Sequence, residues 1–241
     1  MAVIEANSIT KRFDKTTALY DVSLSVNKGN FFGLFGPNGA GKTTLVKILT
    51  GQLLPTSGKA LVDGVDVIKN PMEVKRRIGI VPEVESPPSY LTSHEYLYFV
   101  CRVRKVDNIE SRIEHWLKFF EMEDAESKIC RDLSKGARQK LMLASAFIHE
   151  PKIFFLDEPF INLDPIHQKK AKDYILECAR EGRTILMCSH LLDIAEKLCD
   201  KVAIINDGMI VTSGSLDEVR GEEKDLESAF LSIMKDRRKV K

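Results

Sequence analysis

The stretch GPNGAGKTT, which begins at Gly36, constrains this chain more than any other feature. It fits the pattern G-x-x-x-x-G-K-[ST] in full, between the apolar run NFFGLF and the segment LVKILTGQLLP. Glycines at 36, 39 and 41 lack the Cβ atoms that would stop successive backbone N–H groups from converging on a phosphate. A helix that starts directly after the loop aims its positive end at the same point. Pro37, Asn38 and Ala40 complete the loop, and Thr44 extends it into the helix. Lys42 is placed to reach β- and γ-phosphates, and Thr43 to offer its hydroxyl to Mg²⁺. A strand-like run before the loop and an amphipathic helix after it set it apart from a chance glycine turn.

A phosphate loop needs carboxylates, and the segment KIFFLDEP supplies two after four apolar residues. In a parallel sheet, ligands bind at the carboxyl ends of the strands, so Asp157 and Glu158 are expected to face the loop. Asp157 suits Mg²⁺, directly or through water. Glu158 suits positioning or deprotonating an attacking water. A second apolar run, TILMCSH, ends in His190, whose imidazole could hydrogen-bond a γ-phosphate. His94, His115, His149 and His167 have no such setting and read as surface or core. In DLSKGARQKLMLASAF, Ser134 reads as a helix N-cap, and with Gly136 it frames a second helix start able to meet an anion. No lysine is placed there as Lys42 is. Two half-sites of this kind suggest a nucleotide shared between two copies.

Around these motifs the chain alternates in texture. AVIEANSITKRF, DVSLSVNKGN and FFGLF read as short strands, and ALVDGVDVI as a hairpin turning at a glycine. Leu45, Ile48, Leu49 and Leu53 share a helical face, with the Pro55-Thr56-Ser57-Gly58 cluster expected to end that helix. RRIGIVPE is a buried strand leading into a loop. SYLTSHEYLYFVCRV and NIESRIEHWLKFFEM are helical, the second carrying Ile109, Ile113, Trp116, Leu117 and Phe120 on one face, where Trp116 packs in the core. KIFFLDEP and TILMCSH are central parallel strands, with helices after each. KVAIINDGMIVTSG is a hairpin. The expected class is α/β: a P-loop core with a mostly parallel sheet, an antiparallel β lobe and an α-helical insert, forming one domain over 1–241. Core and β lobe cover about 1–82 and 151–218, the insert about 83–150, and a tail about 219–241. The tail is partly amphipathic through Leu226, Phe230, Leu231 and Met234. It reads as a short helix with a basic end, KDRRKVK, for which contact with anionic lipid is the sharper alternative.

Composition removes other classes. Lysine plus arginine number 36 against 35 aspartate plus glutamate, so no global charge calls for nucleic acid, and no nucleic-acid partner is expected. No window approaches the roughly 18 apolar residues that cross a bilayer, and MAVIEANSITKRF is unlike a signal peptide. The sequence therefore reads as a soluble, cytosolic protein. Five cysteines (Cys101, Cys130, Cys178, Cys188 and Cys199) form no CxxC pair and read as buried, reduced thiols.

Taken together, these residues resemble the ATP-binding subunit of an ABC transporter, from the start of the chain to about Gly214. GPNGAGKT resembles the Walker A loop and IFFLDEP the Walker B strand. LSKGA falls where the family has its LSGGQ signature. Asn162-Leu163-Asp164 is similar to the D-loop, and Ser189-His190 to the switch histidine. Phe13, by itself a candidate for strand core, sits where the family places an aromatic that stacks on adenine. Two departures stand out. Lys135 and Ala137 replace the usual glycine and glutamine of the signature. Glu83 occupies the position after GIVP where most members have a glutamine that senses γ-phosphate and Mg²⁺. A carboxylate there can still hold Mg²⁺ or water, but it repels phosphate more than an amide does. Glu83, the SKG-type signature and the ending DLESAFL resemble the ABC-2 branch, which includes many exporters.

The resemblance implies a Mg²⁺-dependent ATPase that works as a head-to-tail pair with a second ATPase subunit, as a homo- or heterodimer. Each ATP would lie on residues 36–44 of one copy and be capped by Ser134 and Gly136 of the other, with Glu158 activating water. It further implies integral-membrane transporter subunits as partners, a peripheral position on the cytoplasmic face, and coupling through the groove between the helical insert and the Glu83 loop. The competing expectation is a soluble ABC-type ATPase switch with no membrane partner. Cargo is not encoded in these residues.

Overall fold

The computed structural model describes residues 1–190 and 192–239, without the side chains of 193–195 and 236–239. Its frame is a six-stranded sheet of β3 (Phe31–Phe35), β6 (Ile78–Val81), β7 (Ile153–Asp157), β8 (Thr184–Ser189), β9 (Lys201–Asn206) and β10 (Met209–Ser215). The spatial order is β10-β9-β3-β8-β7-β6; all neighbours run parallel except the β9–β10 hairpin. Every residue of β3, β7 and β8 is buried, as expected for central parallel strands covered on both faces.

Those two faces divide the core by strand alternation. Phe31, Phe35, Phe154, Leu156, Ile185 and Met187 point toward one cluster, while Phe32, Leu34, Phe155, Leu186 and Cys188 point toward the other. The second face is covered by helix α1 (Lys42–Leu49) and by a four-stranded antiparallel lobe. That lobe has the order β2-β1-β4-β5, built from β1 (Ala2–Phe13), β2 (Thr16–Asn27), β4 (Ser57–Val62) and β5 (Val65–Asp66). The first face receives the helical insert: α3 (Ser93–Arg104), α4 (Ile109–Phe119) and α5 (Lys135–Phe147).

Local chemistry starts these helices where the sequence indicates. Thr92 and Glu95 form a reciprocal capping box on α3, and Ser134 accepts from the Ala137 N–H at the start of α5. Ile113, Trp116, Leu117 and Phe120 of the α4 segment are buried, with Ile109 partly so. Trp116 meets Tyr174 edge-on with ring centroids 4.9 Å apart; Tyr174 belongs to α6 (Pro165–Arg180), so the insert is packed onto the core. Arg104 supplies a polar anchor. Its Nη1 donates to the carbonyls of Lys75 and Ile78, each at 2.7 Å, and lies 2.8 Å from His149 Nε2. Burial, followed by the charge of Arg104, lowers His149 to about 3, so that imidazole stays neutral.

One expectation is corrected. The helix after the phosphate loop ends at Leu49, not at the Pro55–Gly58 cluster. Thr50 turns its hydroxyl back onto the Val46 carbonyl at 2.8 Å, and Gly51 takes a left-handed φ of 68°, which closes the helix early. Leu53 therefore lies beyond the helix, though it still packs on the core. The remaining helices are α2 (Pro71–Arg77), α7 (Leu192–Leu198), α8 (Leu216–Arg220) and α9 (Leu226–Lys239). In α9, Leu226 is buried, Phe230 and Met234 pack partly, and Leu231 is exposed. The basic end, from position 236 onward, falls outside the described side chains. All five cysteines are buried and unpaired. Among the described residues, no helix is long and apolar enough to cross a membrane.

Candidate functional site

Three parallel strands finish in register, with Phe35 opposite Ser189 and Asp157 opposite Cys188. That alignment sets the phosphate loop, the Asp157–Glu158 pair and the Ser189–His190 pair along one edge of the sheet. A solvent-open cleft lies there, lined by Asn38, Gly39, Ala40, Gly41, Lys42, Thr43, Thr44, Glu83, Asp157, Glu158 and Ala18. Loop residues 38–44, both carboxylates and Glu83 thus meet in one place, while Gly36 and Pro37 do not line it and instead offer their carbonyls to Lys42.

Two glycines show why the loop has this composition. Gly41, the N-cap of α1, has φ of 108°, and a methyl group on it would lie 2.8 Å from the Ala18 carbonyl oxygen. A methyl on Gly36 would collide with the Ile205 carbonyl of the adjacent β9 end. Lys42 is held by the loop itself: Nζ donates to the Gly36 carbonyl at 2.6 Å and to the Pro37 carbonyl at 3.1 Å.

The carboxylates have distinct surroundings. Asp157 is only 1% exposed, and its Oδ1 is buried without a hydrogen-bond partner. Burial raises its carboxyl to about 6. The Thr43 hydroxyl works against that rise, and the charges of Glu83 and Glu158 add to it. Thr43 Oγ1 donates to Glu83 Oε2 at 3.0 Å, which brings the hydroxyl and two carboxyl groups together. A buried carboxylate oxygen lacking a donor, beside a hydroxyl and a second carboxylate, is an all-oxygen set suited to a hard divalent cation. The residues present therefore fit Mg²⁺.

Glu158 sits one residue beyond β7 with φ of 49°, an unusual conformation for a residue with a side chain. Its backbone N–H donates to the Cys188 carbonyl at 2.9 Å. Its side chain is clamped at both oxygens. Ser189 Oγ donates to Oε2 at 3.1 Å, and His190 Nδ1 lies 2.7 Å from Oε1. Glu158 is largely buried, while the His190 side chain is 54% exposed.

Other expected residues lie apart from the cleft. Phe13 ends β1, is 43% exposed and is covered on one face by Lys11, whose Nζ is 4.8 Å from the ring centroid; neither residue lines the cleft. Ser134 and Gly136 stand at the start of α5 and do not line the cleft, and Gly136 closely approaches the Asn162 carbonyl. Gln139 of α5 donates to the Pro159 carbonyl at 2.8 Å, joining that helix to the turn after Glu158.

Several neighbours were not evident in the sequence. Ala18 reaches the cleft from the antiparallel lobe. Glu85 accepts from Asn162 Nδ2 at 2.8 Å, linking the Glu83 loop to the turn before α6. His167 is buried between Asp164 Oδ2 at 2.6 Å and Lys140 Nζ at 3.0 Å. The NLD triplet placed Asp164 and Asn162 near a site, but their partners come from segments with no motif of their own.

A glycine loop at a helix start, with carboxylates at the end of the strand two places along the same parallel sheet, defines a P-loop nucleoside triphosphatase. Comparison with known proteins narrows the class. The ABC transporter family model matches residues 19–161. The ABC transporter ATP-binding protein NatA of Bacillus subtilis is 37% identical over 220 residues, which cover 89% of each chain. An uncharacterized ABC transporter ATP-binding protein of a Nostoc species is 38% identical over 213 residues, 87% of this chain and 63% of that relative. The chain thus spans just under two thirds of one relative and most of the other. A solved structure of an ATP-binding subunit of an ABC transporter superposes with a TM-score of 0.90 at 28% identity, covering 96% of this chain and 99% of that one. The chain belongs to the ABC transporter family and has the fold of its ATP-binding subunits.

Proposed function

We propose that this chain binds ATP with Mg²⁺ and hydrolyses it, as the subunit that energises a membrane transporter. The observation that carries this is the convergence of Lys42, Thr43, a buried Asp157 oxygen without a donor and a clamped Glu158 on one cleft. The loop N–H groups and Lys42 bind the phosphates, and the N-terminus of α1 adds its partial charge. Thr43 and Asp157, with Glu83 beside them, would hold Mg²⁺. When bound, the cation neutralises charge on the phosphates and on the leaving oxygen. Glu158 orients and accepts a proton from the attacking water, held in place by Ser189 and His190; His190, half exposed, would also hydrogen-bond the γ-phosphate. Phe13 stacks on the adenine.

Ser134 and Gly136 lie outside the cleft of their own chain, which supports a role on the nucleotide of a second copy. Two chains in a head-to-tail pair would then complete two sites, and only the closed pair hydrolyses ATP. The domain works as one unit, with the insert (α3–α5) packed on the parallel sheet. The groove between that insert and the Glu83 loop is where integral-membrane subunits would dock, placing the chain at the membrane as a peripheral subunit. Glu83, the SKG signature and the DLESAFL ending favour an ABC-2 type exporter.

The test is co-purification with an integral-membrane protein from membranes, together with Mg²⁺-dependent phosphate release by the complex. Phosphate release with a membrane partner supports the reading. Release by a chain that never associates with a membrane protein would instead indicate a soluble switch, and no release in either state would remove the enzymatic assignment.

A further inference from the structure

The cleft carries more negative charge than its task as a phosphate site explains. Its lining holds three carboxyl groups, on Glu83, Asp157 and Glu158, against the single ammonium of Lys42. That ammonium is already shared with two loop carbonyls. Asp157 and Glu158 have places in the chemistry, but Glu83 does not need to be charged to accept from Thr43, because an amide oxygen would accept equally well. Its charge is therefore free to act on the ligands themselves.

A fixed charge near a triphosphate acts in opposite directions on the two ligands. It repels the nucleotide and attracts the cation, each by an amount that falls with distance. With both ligands bound the two effects largely cancel. With nucleotide alone only the repulsion remains. We propose that Glu83 is a coupling residue: its carboxylate makes ATP binding by this chain depend on a simultaneously bound divalent cation, so that metal-free ATP is rejected. The buried Asp157 oxygen lacking a donor marks where that cation belongs, in the cleft that Glu83 also lines. The cation that accompanies the nucleotide offsets the repulsion, so Glu83 disfavours metal-free ATP and leaves the cation–nucleotide complex nearly unaffected.

This inference rests on the ATP-binding reading of the same cleft, and its test separates the two. ATP binding is measured by calorimetry on the full chain, in EDTA and in excess Mg²⁺, for wild type, Glu83→Gln and Glu85→Gln. Glu83 is exposed, and the glutamine keeps an acceptor for Thr43. Glu85→Gln removes the same charge from the same loop, but the Glu85 carboxylate is turned to Asn162 and does not line the cleft. The expected result is a wild-type chain that binds ATP far better with Mg²⁺ than in EDTA. Glu83→Gln should tighten ATP in EDTA by roughly tenfold or more while changing its affinity in Mg²⁺ little, so that the ratio of the two collapses. Glu85→Gln should keep the wild-type ratio. Binding of Mn²⁺ to the nucleotide-free chain, followed by electron spin resonance, should weaken several-fold in Glu83→Gln. An unchanged ratio in Glu83→Gln, or an equal change in Glu85→Gln, overturns the coupling role. A wild-type chain that binds no ATP even with Mg²⁺ overturns the underlying reading.

Discussion

The Glu158 carboxylate and the His190 imidazole, 32 residues apart in sequence, lie 2.7 Å from each other across the ends of two neighbouring strands. Ser189 secures the other carboxylate oxygen, so the side chain is fixed in direction before any substrate arrives. Such fixing suits a general base, which must stand within hydrogen-bond reach of one water. Glu158→Gln preserves the size and one acceptor but removes the base. ATP binding should survive, and phosphate release should fall by roughly a hundred- to ten-thousand-fold. His190→Ala should lower release with ATP binding kept, because Glu158 loses one of its two tethers. Wild-type release in Glu158→Gln would exclude Glu158 as the base.

Asp157 should make the metal-free protein less stable as pH rises. Its carboxyl is raised from an ordinary 3.8 to about 6, so between those values the folded chain binds more protons than the unfolded one. Stability from this group is complete below about pH 4 and lost as pH passes through about 6. The loss is on the order of 2–3 kcal/mol. Chemical denaturation in EDTA at pH 5 and pH 7.5 should show this slope, and Asp157→Asn should flatten it. An Asp157→Asn chain with an unaltered pH slope would refute the account of that carboxyl.

Much of this site was legible because it is local. The phosphate loop and the Asp157–Glu158 and Ser189–His190 endings are each carried by a few adjacent residues, and fully buried strands announce themselves as continuous apolar runs. The premature end of α1 was less visible, because an apolar residue at Leu53 continued the helical spacing past Gly51. Residues that meet only through folding left no mark. Ala18 of the antiparallel lobe, the Glu85–Asn162 link and the neutral His149 beside Arg104 depend on approach between distant segments. Phe13 is singled out only by the family resemblance, and it does not line the cleft.

That separation makes Phe13 testable by itself. Phe13→Ala should weaken ATP by about tenfold, within the range for a base stacked on an aromatic ring, and leave inorganic triphosphate unaffected. Calorimetry with the two ligands distinguishes this from a general loss of fold. Equal weakening of both would show that Phe13 does not contact the adenine.

The loop glycines should differ in how they fail. Gly36→Ala forces a methyl group against the Ile205 carbonyl, so both ATP binding and melting temperature should drop. Gly39→Ala meets no atom within 4 Å, yet its φ of 80° is strained for alanine. That variant should lose only about 1 kcal/mol of stability. Equal melting temperatures for the two would contradict the packing described between the loop and β9.

The central claim is that each nucleotide site is shared, with the phosphate loop of one copy and Ser134 of another. Mixing two inactive variants tests it directly. Lys42→Ala removes the phosphate contact. Ser134→Asp keeps a good helix cap while setting a negative charge against the phosphates. In a mixed pair, one site combines both defects and the other combines neither. The account predicts that each variant alone releases almost no phosphate and that the mixture, with the same membrane partner, recovers up to roughly a quarter of wild-type release. A mixture as inactive as its components would contradict the shared site.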